Sequence, residues 1–180
     1  MSTFDSTKLS LQALLGEICA GKIQLPDFQR GWVWDDDHIR DLLVSIARSF
    51  PVGAVMLLET GGTVTFQTRP IEGLEATPAK DVAPEKLILD GQQRLTTLTQ
   101  ALALTTPVQT RTSKGKKIQR HYYFNVRLAV EAPHELDTAI IAVDEKRQFR
   151  SNFGRDIELD LSTRELECKQ LYFPCDQVMN

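Results

Sequence analysis

The stretch Leu87-Ile-Leu-Asp90-Gly91-Gln92-Gln93-Arg94-Leu95-Thr96-Thr97-Leu98 carries the most structural information in this chain. Lys86 to Asp90 reads as a buried apolar strand, Asp90-Gly91 as a tight turn, and about Gln92 to Leu104 as a helix with Leu95, Leu98 and Leu102 on one face. Gly91 lets the backbone turn sharply and approach a ligand closely. The unpaired N–H groups of a helix start, together with its dipole, form a local anion site. Gln92, Gln93 and Arg94 lie in that first turn, so their donors can converge there. Arg94 can fork onto phosphate oxygens, and Thr96 and Thr97 add hydroxyls if they face inward. Asp90 suits orienting a water or holding Mg²⁺ through water. A plainer reading competes: Asp90 as N-cap with Gln93 reaching back, a variant of the capping box. That reading leaves Gln92 and Arg94 unexplained, and Arg in a first turn is unfavourable by about 0.3–1 kcal/mol without a nearby anion. On the residues alone both readings stand.

Upstream, Leu11, Leu14, Leu15, Ile18 and Cys19 recur at helical spacing before Gly21, and Ile23 to Phe28 reads as extended because Pro26 keeps Leu25 out of the α region. Asp35 is a good N-cap for a helix whose stripe runs Ile39, Leu42, Leu43, Ile46, Ala47 and Phe50, stopped by Pro51, with Asp36 and Asp37 complementing its dipole. Between these elements lies Leu25-Pro26-Asp27-Phe28-Gln29-Arg30-Gly31-Trp32-Val33-Trp34, in which some rings anchor the core, while Arg30 beside aromatics is also a means of holding a phosphate or a base. Val52–Leu58 and the alternating Val64–Thr68 are expected to form a hairpin turning at Gly61-Gly62. Residues 70–85 read as loop.

Downstream, the segment from Arg111 to Arg120 holds Arg111, Lys114, Lys116, Lys117 and Arg120 and no acid. It reads as a loop leading into a strand, His121–Leu128. Its functional reading is contact with a DNA backbone, where Lys and Arg give salt-dependent, sequence-blind affinity; its plain reading is a solvated mobile loop. Glu135–Val143 reads as a short helix, and Ile157–Leu161 alternates like a half-buried strand. Mixed strands and helices point to an α+β fold.

The composition frames these motifs. The chain has 180 residues, 21 Lys+Arg against 24 Asp+Glu and a net charge of −3, values of an ordinary globular chain that exclude collagen-like, coiled-coil and largely disordered classes. The charge is uneven: residues 1–90 carry 8 basic and 13 acidic side chains, and residues 91–180 carry 13 and 11. One domain over residues 1–180 is expected. No apolar run approaches the ~18–20 residues of a membrane span, and no signal peptide opens the chain, so the cytoplasm is the expected location. Three cysteines without a CxxC pair suit a reducing compartment. Three scattered histidines give no zinc spacing.

LPDFQRGWVW at 25–34, an amphipathic helix ending SIARSFPVGAVML at 45–57, and LILDGQQRLTTL at 87–98 together resemble the ParB/sulfiredoxin-like N-terminal domain of GmrSD-type, modification-dependent restriction proteins. The resemblance covers about 8–128 well, with 129–180 as a C-terminal extension. It implies a ParB/sulfiredoxin-like mixed sheet packed with helices. It also implies a bacterial phage-defence domain that binds and hydrolyses a nucleoside triphosphate with Mg²⁺ and helps to sense modified DNA. A separate nuclease domain or subunit would make the cut. On this resemblance Asp90, Gln93 and Arg94 become the catalytic candidates and Asp90 the Mg²⁺ ligand. Gln29, Arg30, Gly91, Gln92, Gln93, Arg94, Thr96 and Thr97 become the nucleotide-site candidates. The alternative is a non-catalytic module that reads modified DNA. No His-Asn-His signature accompanies His121 or His134, so nuclease activity is not expected of these residues. The chain ends where the family's proteins enter their next domain, and is expected to be either part of a larger protein or a short stand-alone relative; homodimerisation is left open.

Overall fold

A computed structural model describes residues 6–62 and 65–179. Its first sheet holds four strands in the order β2-β4-β1-β3: β1 (Ile23–Pro26), β2 (Met56–Glu59), β3 (Thr68–Arg69) and β4 (Lys86–Asp90). The central pair, β1 and β4, is parallel, with Ile23 opposite Lys86 and Gln24 opposite Leu87, whereas β2 and β3 run antiparallel to their neighbours. The sheet is mixed, as expected. A parallel pair needs a long crossover, and here the crossover contains α2 (Asp36–Ala47). That crossover brings Leu25–Trp34 alongside the end of β4.

Helix α1 (Leu11–Cys19) is followed by Gly21 at φ +77°, so the expected stop holds, and it starts at a Ser10 cap that the apolar spacing did not mark. Asp35 caps α2, its Oδ1 accepting from the His38 N–H at 3.0 Å. Ile39, Leu42 and Leu43 are the buried face of α2, while Phe50 lies beyond the helix and is exposed. Helix α3 (Gln92–Leu102) is two residues shorter than its apolar stripe suggests and is buried along most of its length.

The second sheet is built on the long β6 (Lys117–Asn125), which pairs with β5 (Val108–Arg111), β7 (Ile140–Val143) and β10 (Tyr172–Pro174), each antiparallel. Between these strands lie α4 (Val126–Glu131), α5 (Leu136–Ala139), the two-stranded β8 (Gln148–Ser151) and β9 (Asp156–Asp160), and α6 (Arg164–Gln170). One apolar core joins both sheets, running from Leu15, Ile18 and Ile39 through Leu95 and Leu98 to Val108, Tyr122 and Ile140. The result is an α+β fold.

Several local expectations give way. β2 pairs with β4, not with the segment after Gly61-Gly62, and β3 lies at the opposite edge of the sheet. The expected hairpin is therefore replaced by two strands that each find a partner distant in sequence; Val64, where the alternation begins, lies outside the described residues. The basic segment is not a loop. It is the β5–β6 hairpin, with Arg111 opposite Lys117 and a turn at Gly115 of φ +81°. The strand expected at 121–128 ends at Asn125, whose side chain caps α4 by accepting from the Leu128 N–H. Glu135–Val143 splits into the one-turn α5 and strand β7.

Part of the C-terminal half rests on a buried polar network. Tyr123 Oη donates to Glu167 Oε1 at 2.7 Å, and Arg147 donates to both. Burial of the Tyr123 phenol, reinforced by its hydrogen bond to Glu167, pushes its pKa above the ordinary tyrosine range.

Candidate functional site

Strand β4 ends at Asp90, and Gly91, at φ +89°, turns the chain directly into α3. An L-residue with a side chain would be strained there, and a Cβ on Gly91 would press 3.1 Å from Val55 Cγ2. Gly91 therefore occupies the N-cap position, and no side chain caps the helix. The capping-box reading of Asp90 and Gln93 is thereby excluded. The N–H groups of the first helical turn are left available to an anion.

Gln92, Gln93 and Arg94 reach the neighbouring loops. Gln92 Nε2 donates to the Arg30 carbonyl at 2.5 Å. Gln93 binds the same loop twice, Nε2 donating to the Gly31 carbonyl at 3.2 Å and Oε1 accepting from the Val33 N–H at 3.0 Å. Arg94 forks in the other direction, Nη1 donating to the Val52 carbonyl and Nη2 to the Ala54 carbonyl at 2.8 Å. It also stands 3.7 Å from Asp90 Oδ2. Gln29 returns the contact from the loop side, its Nε2 donating to the Ile88 and Leu89 carbonyls at 2.6 and 3.2 Å. The DGQQR and FQR motifs are thus bonded to each other across the end of β4.

Together they enclose a cleft of about 510 Å³ lined by Phe28, Gln29, Arg30, Trp34 and Leu89 to Arg94. Every nucleotide-site candidate lines it except Thr96 and Thr97, which are fully buried. Thr97 Oγ1 accepts from Trp32 Nε1 at 3.0 Å and so positions the loop from behind, while Thr96 Oγ1 is buried without a hydrogen-bond partner among the described residues. The polar groups free to meet a ligand are Arg30, exposed and without a side-chain partner among the described residues, and the carboxylate of Asp90, 74% exposed. Phe28, 69% exposed, stands edge-on to Phe66 with ring centroids 5.7 Å apart and supplies an aromatic rim.

Among the described residues no group of three His, Cys, Asp or Glu side chains could hold a metal ion. The cleft's single carboxylate fits Mg²⁺ in one form, as the companion of a phosphate, because Mg²⁺ keeps several waters and takes one or two carboxylates plus substrate phosphates.

The basic candidates lie elsewhere. Arg111, Lys114, Lys116 and Lys117 are exposed on the β5–β6 hairpin, and none joins an ion pair among the described residues. Arg120 is half-buried near Tyr122, away from the turn.

A second cleft, of about 720 Å³, joins Trp32 and Trp34 of the 25–34 stretch to Arg111 and Lys117 of the basic segment, a pairing that neither stretch announces. Trp34 lines both clefts and Trp32 only this one. Besides these tryptophans its walls come from 72–75 and from 100–119, distant from the 32–34 loop in sequence, so no local pattern marks it.

The chain is 26% identical over 176 residues to an uncharacterized protein, MJ0686, of the archaeon Methanocaldococcus jannaschii. The match takes in 95% of this chain but only 29% of that relative's length. No solved structure matches. No helix among the described residues is long and apolar enough to cross a membrane. The family model of the GmrSD restriction endonuclease N-terminal domain matches residues 11–173, from α1 to β10 and past both motifs, and the chain belongs to that family.

Proposed function

We propose that this chain is a nucleotide-binding, NTP-hydrolysing regulatory domain of a modification-dependent restriction protein, with the nucleotide in the 510 Å³ cleft. The observation that carries the reading is the uncapped start of α3 opening beside an unpaired arginine and an exposed aspartate. In this reading the phosphates rest on the N–H groups of Gln92, Gln93 and Arg94, where the helix dipole favours negative charge. Arg30 closes over them and neutralises charge that grows on the transferred phosphoryl group. Asp90 orients the attacking water and would hold Mg²⁺, which supplies charge neutralisation between the phosphate oxygens. Phe28 and Trp34 offer faces to the base. Gln29, Gln92 and Gln93 act through the backbone they hold, and Arg94, itself in the cleft lining, is held by the 52–54 segment behind it. Cutting of DNA belongs to a partner nuclease domain or subunit.

Calorimetric titration with ATP, GTP and CTP, with and without Mg²⁺, tests this. Saturable heat with one of the three, lost in Arg30→Ala, is the expected result. No heat with any of them overturns the proposal.

A second reading, DNA contact by the β5–β6 hairpin, is favoured by its four exposed, unpaired cations. Reversing the charge of Lys114, Lys116 and Lys117 should then remove DNA binding and flatten its salt dependence. Unchanged affinity rejects it.

A further inference from the structure

The second cleft combines features that neither the motifs nor the family match assign. At about 720 Å³ it lies in the upper part of the ~300–1,000 Å³ range of small-molecule sites. Its lining includes two indoles, Trp32 and Trp34, the polar side chains of Glu72 and Gln100, and two cations, Arg111 and Lys117, from facing positions of the hairpin.

Parts of the lining are held in place. Trp32 is fixed by its Nε1 bond to Thr97 and by its N–H, which donates to Glu72 Oε1 at 3.0 Å. The Trp34 backbone is held at its carbonyl, which accepts from Thr110 Oγ1 on β5 at 2.9 Å, while its indole is free to turn. Glu72 Oε1 also accepts from Arg69 Nη1 at 3.0 Å, yet Oε2 is buried with no partner among the described residues. With almost no accessible surface, Oε2 lies sealed behind the wall, so the Glu72 carboxylate holds Arg69 and the Trp32 N–H in place. Arg111 and Lys117 are exposed and join no ion pair among the described residues, and the hairpin's cations extend past the cleft to Lys114 and Lys116 at the turn.

Aromatic faces suit a flat heteroaromatic ring. Unpaired cations on one rim suit a phosphodiester, and their spread along a hairpin suits a strand more than a single phosphate. A base inside a duplex cannot reach such a recess unless it is extruded from the stack.

We propose that the second cleft receives a base extruded from a DNA strand whose backbone runs along the β5–β6 hairpin. The proposal rests on the DNA-reading half of the function above and is independent of the nucleotide cleft. Its ligand chemistry, a nucleobase with a 5′ phosphate, also occurs in free nucleotides, so the test separates the two sources.

The chain contains two tryptophans, and both line this cleft. In Trp34→Phe the remaining Trp32 reports the second cleft alone. That protein is titrated with a duplex carrying one unpaired cytosine, with the matched duplex and with dCMP, while fluorescence anisotropy of an end-labelled duplex follows binding independently. The expected result is saturable Trp32 quenching by the unpaired-base duplex, weaker with the matched duplex and absent with dCMP at equal concentration. Adding Arg111→Glu and Lys117→Glu, both at exposed positions, should weaken duplex binding at least tenfold. Removing one cation–phosphate pair should reduce the log–log salt slope by roughly 0.9.

Quenching by dCMP as strong as by the duplex, and insensitive to the double reversal, overturns the strand and makes the site one for free nucleotides. Duplex binding by anisotropy with unchanged Trp32 emission overturns base insertion and leaves a backbone contact only. A calorimetric ATP titration of the Arg111→Glu, Lys117→Glu protein with Trp34 intact reads the other cleft, whose lining contains neither cation, so failure there is distinguishable from failure here.

Discussion

Arg94→Lys separates charge from geometry at the cleft. Lysine keeps the positive charge of the DGQQR arginine but loses the planar fork that reaches two carbonyls at once. In the native arrangement that fork spans Val52 and Ala54, the two ends of a turn at Gly53 with φ +92°. A lysine ammonium can serve one of these carbonyls, so one charge-assisted bond, worth about 1.5–3 kcal/mol, disappears. For a domain of this size each kcal/mol moves the melting temperature by about 2–4 °C, so the drop should be roughly 3–12 °C. Differential scanning calorimetry of the two proteins measures it. Excess ATP, GTP or CTP should restore less than the full difference, because the missing bond is not one that the ligand makes. An unchanged melting temperature in Arg94→Lys with abolished nucleotide binding would refute the reasoning: Arg94 would then act on the ligand directly and not through the 52–54 turn.

Asp90, with its side chain 74% exposed and one 3.7 Å ion pair, should tolerate Asp90→Ala within about 0.5 kcal/mol by thermal melt, while NTP turnover falls to background in a phosphate-release assay; retained turnover removes Asp90 from the chemistry. The Asp35–His38 pair at the start of α2 should give a two-sided pH window. The hydrogen bond to Asp35 raises the His38 pKa, so its stabilising contribution is complete below the ordinary histidine value near 6.5 and is lost as pH rises through the raised one. Hydrogen bonds from His38 lower the Asp35 pKa, so its contribution is present above about 3.8 and is lost as pH falls through the lowered value. Melts of wild type and His38→Gln across pH should converge at the alkaline side, and parallel curves would contradict this. Cys168 is exposed whereas the Cys175 thiol is buried and pushed up to about 12, with Cys19 between them; a thiol-reactive chromophore should therefore titrate Cys168 quickly and Cys175 only after unfolding.

What could be read from the chain was what local chemistry dictates. The Asp35 cap, the Gly21 stop after α1 and the strand–turn–helix at 86–102 depend on residues within a few positions of one another. The failures were failures of partnership. Met56–Glu59 has strand character, but its choice of β4 over the nearby segment is made by sheet order, which sequence proximity misjudges. The β5–β6 hairpin was hidden by its charges, although Val108 and Thr110 alternate buried with Gln109 and Arg111 exposed. The Tyr123–Arg147–Glu167 network joins residues up to 44 positions apart, and nothing along the chain links them. At the site, the DGQQR and FQR motifs could be placed together only through a resemblance. Their division of labour could not be read at all, because glutamines that bind a ligand and glutamines that bind the loop beside it look identical in sequence.

That division of labour changes how the motif acts. Gln29, Gln92 and Gln93 form five hydrogen bonds between the 29–33 loop and the β4–α3 junction, all to or from backbone groups of the opposite segment. Backbone groups do not change with the side chains around them, so the clamp constrains loop position without constraining Phe28, Val33 or Trp34. Those residues are free to vary with the ligand, while Trp34 faces both clefts from a loop whose two ends are fixed. A ligand that moves Trp34 in one cleft must therefore alter the wall of the other. The coupling this produces is reciprocal by thermodynamic necessity, and its size is set by how differently the two positions of Trp34 are bound. Gln93→Ala removes two of the five bonds and lets the loop move by other routes. It should therefore weaken any dependence of the second cleft on nucleotide more than it weakens either binding event alone.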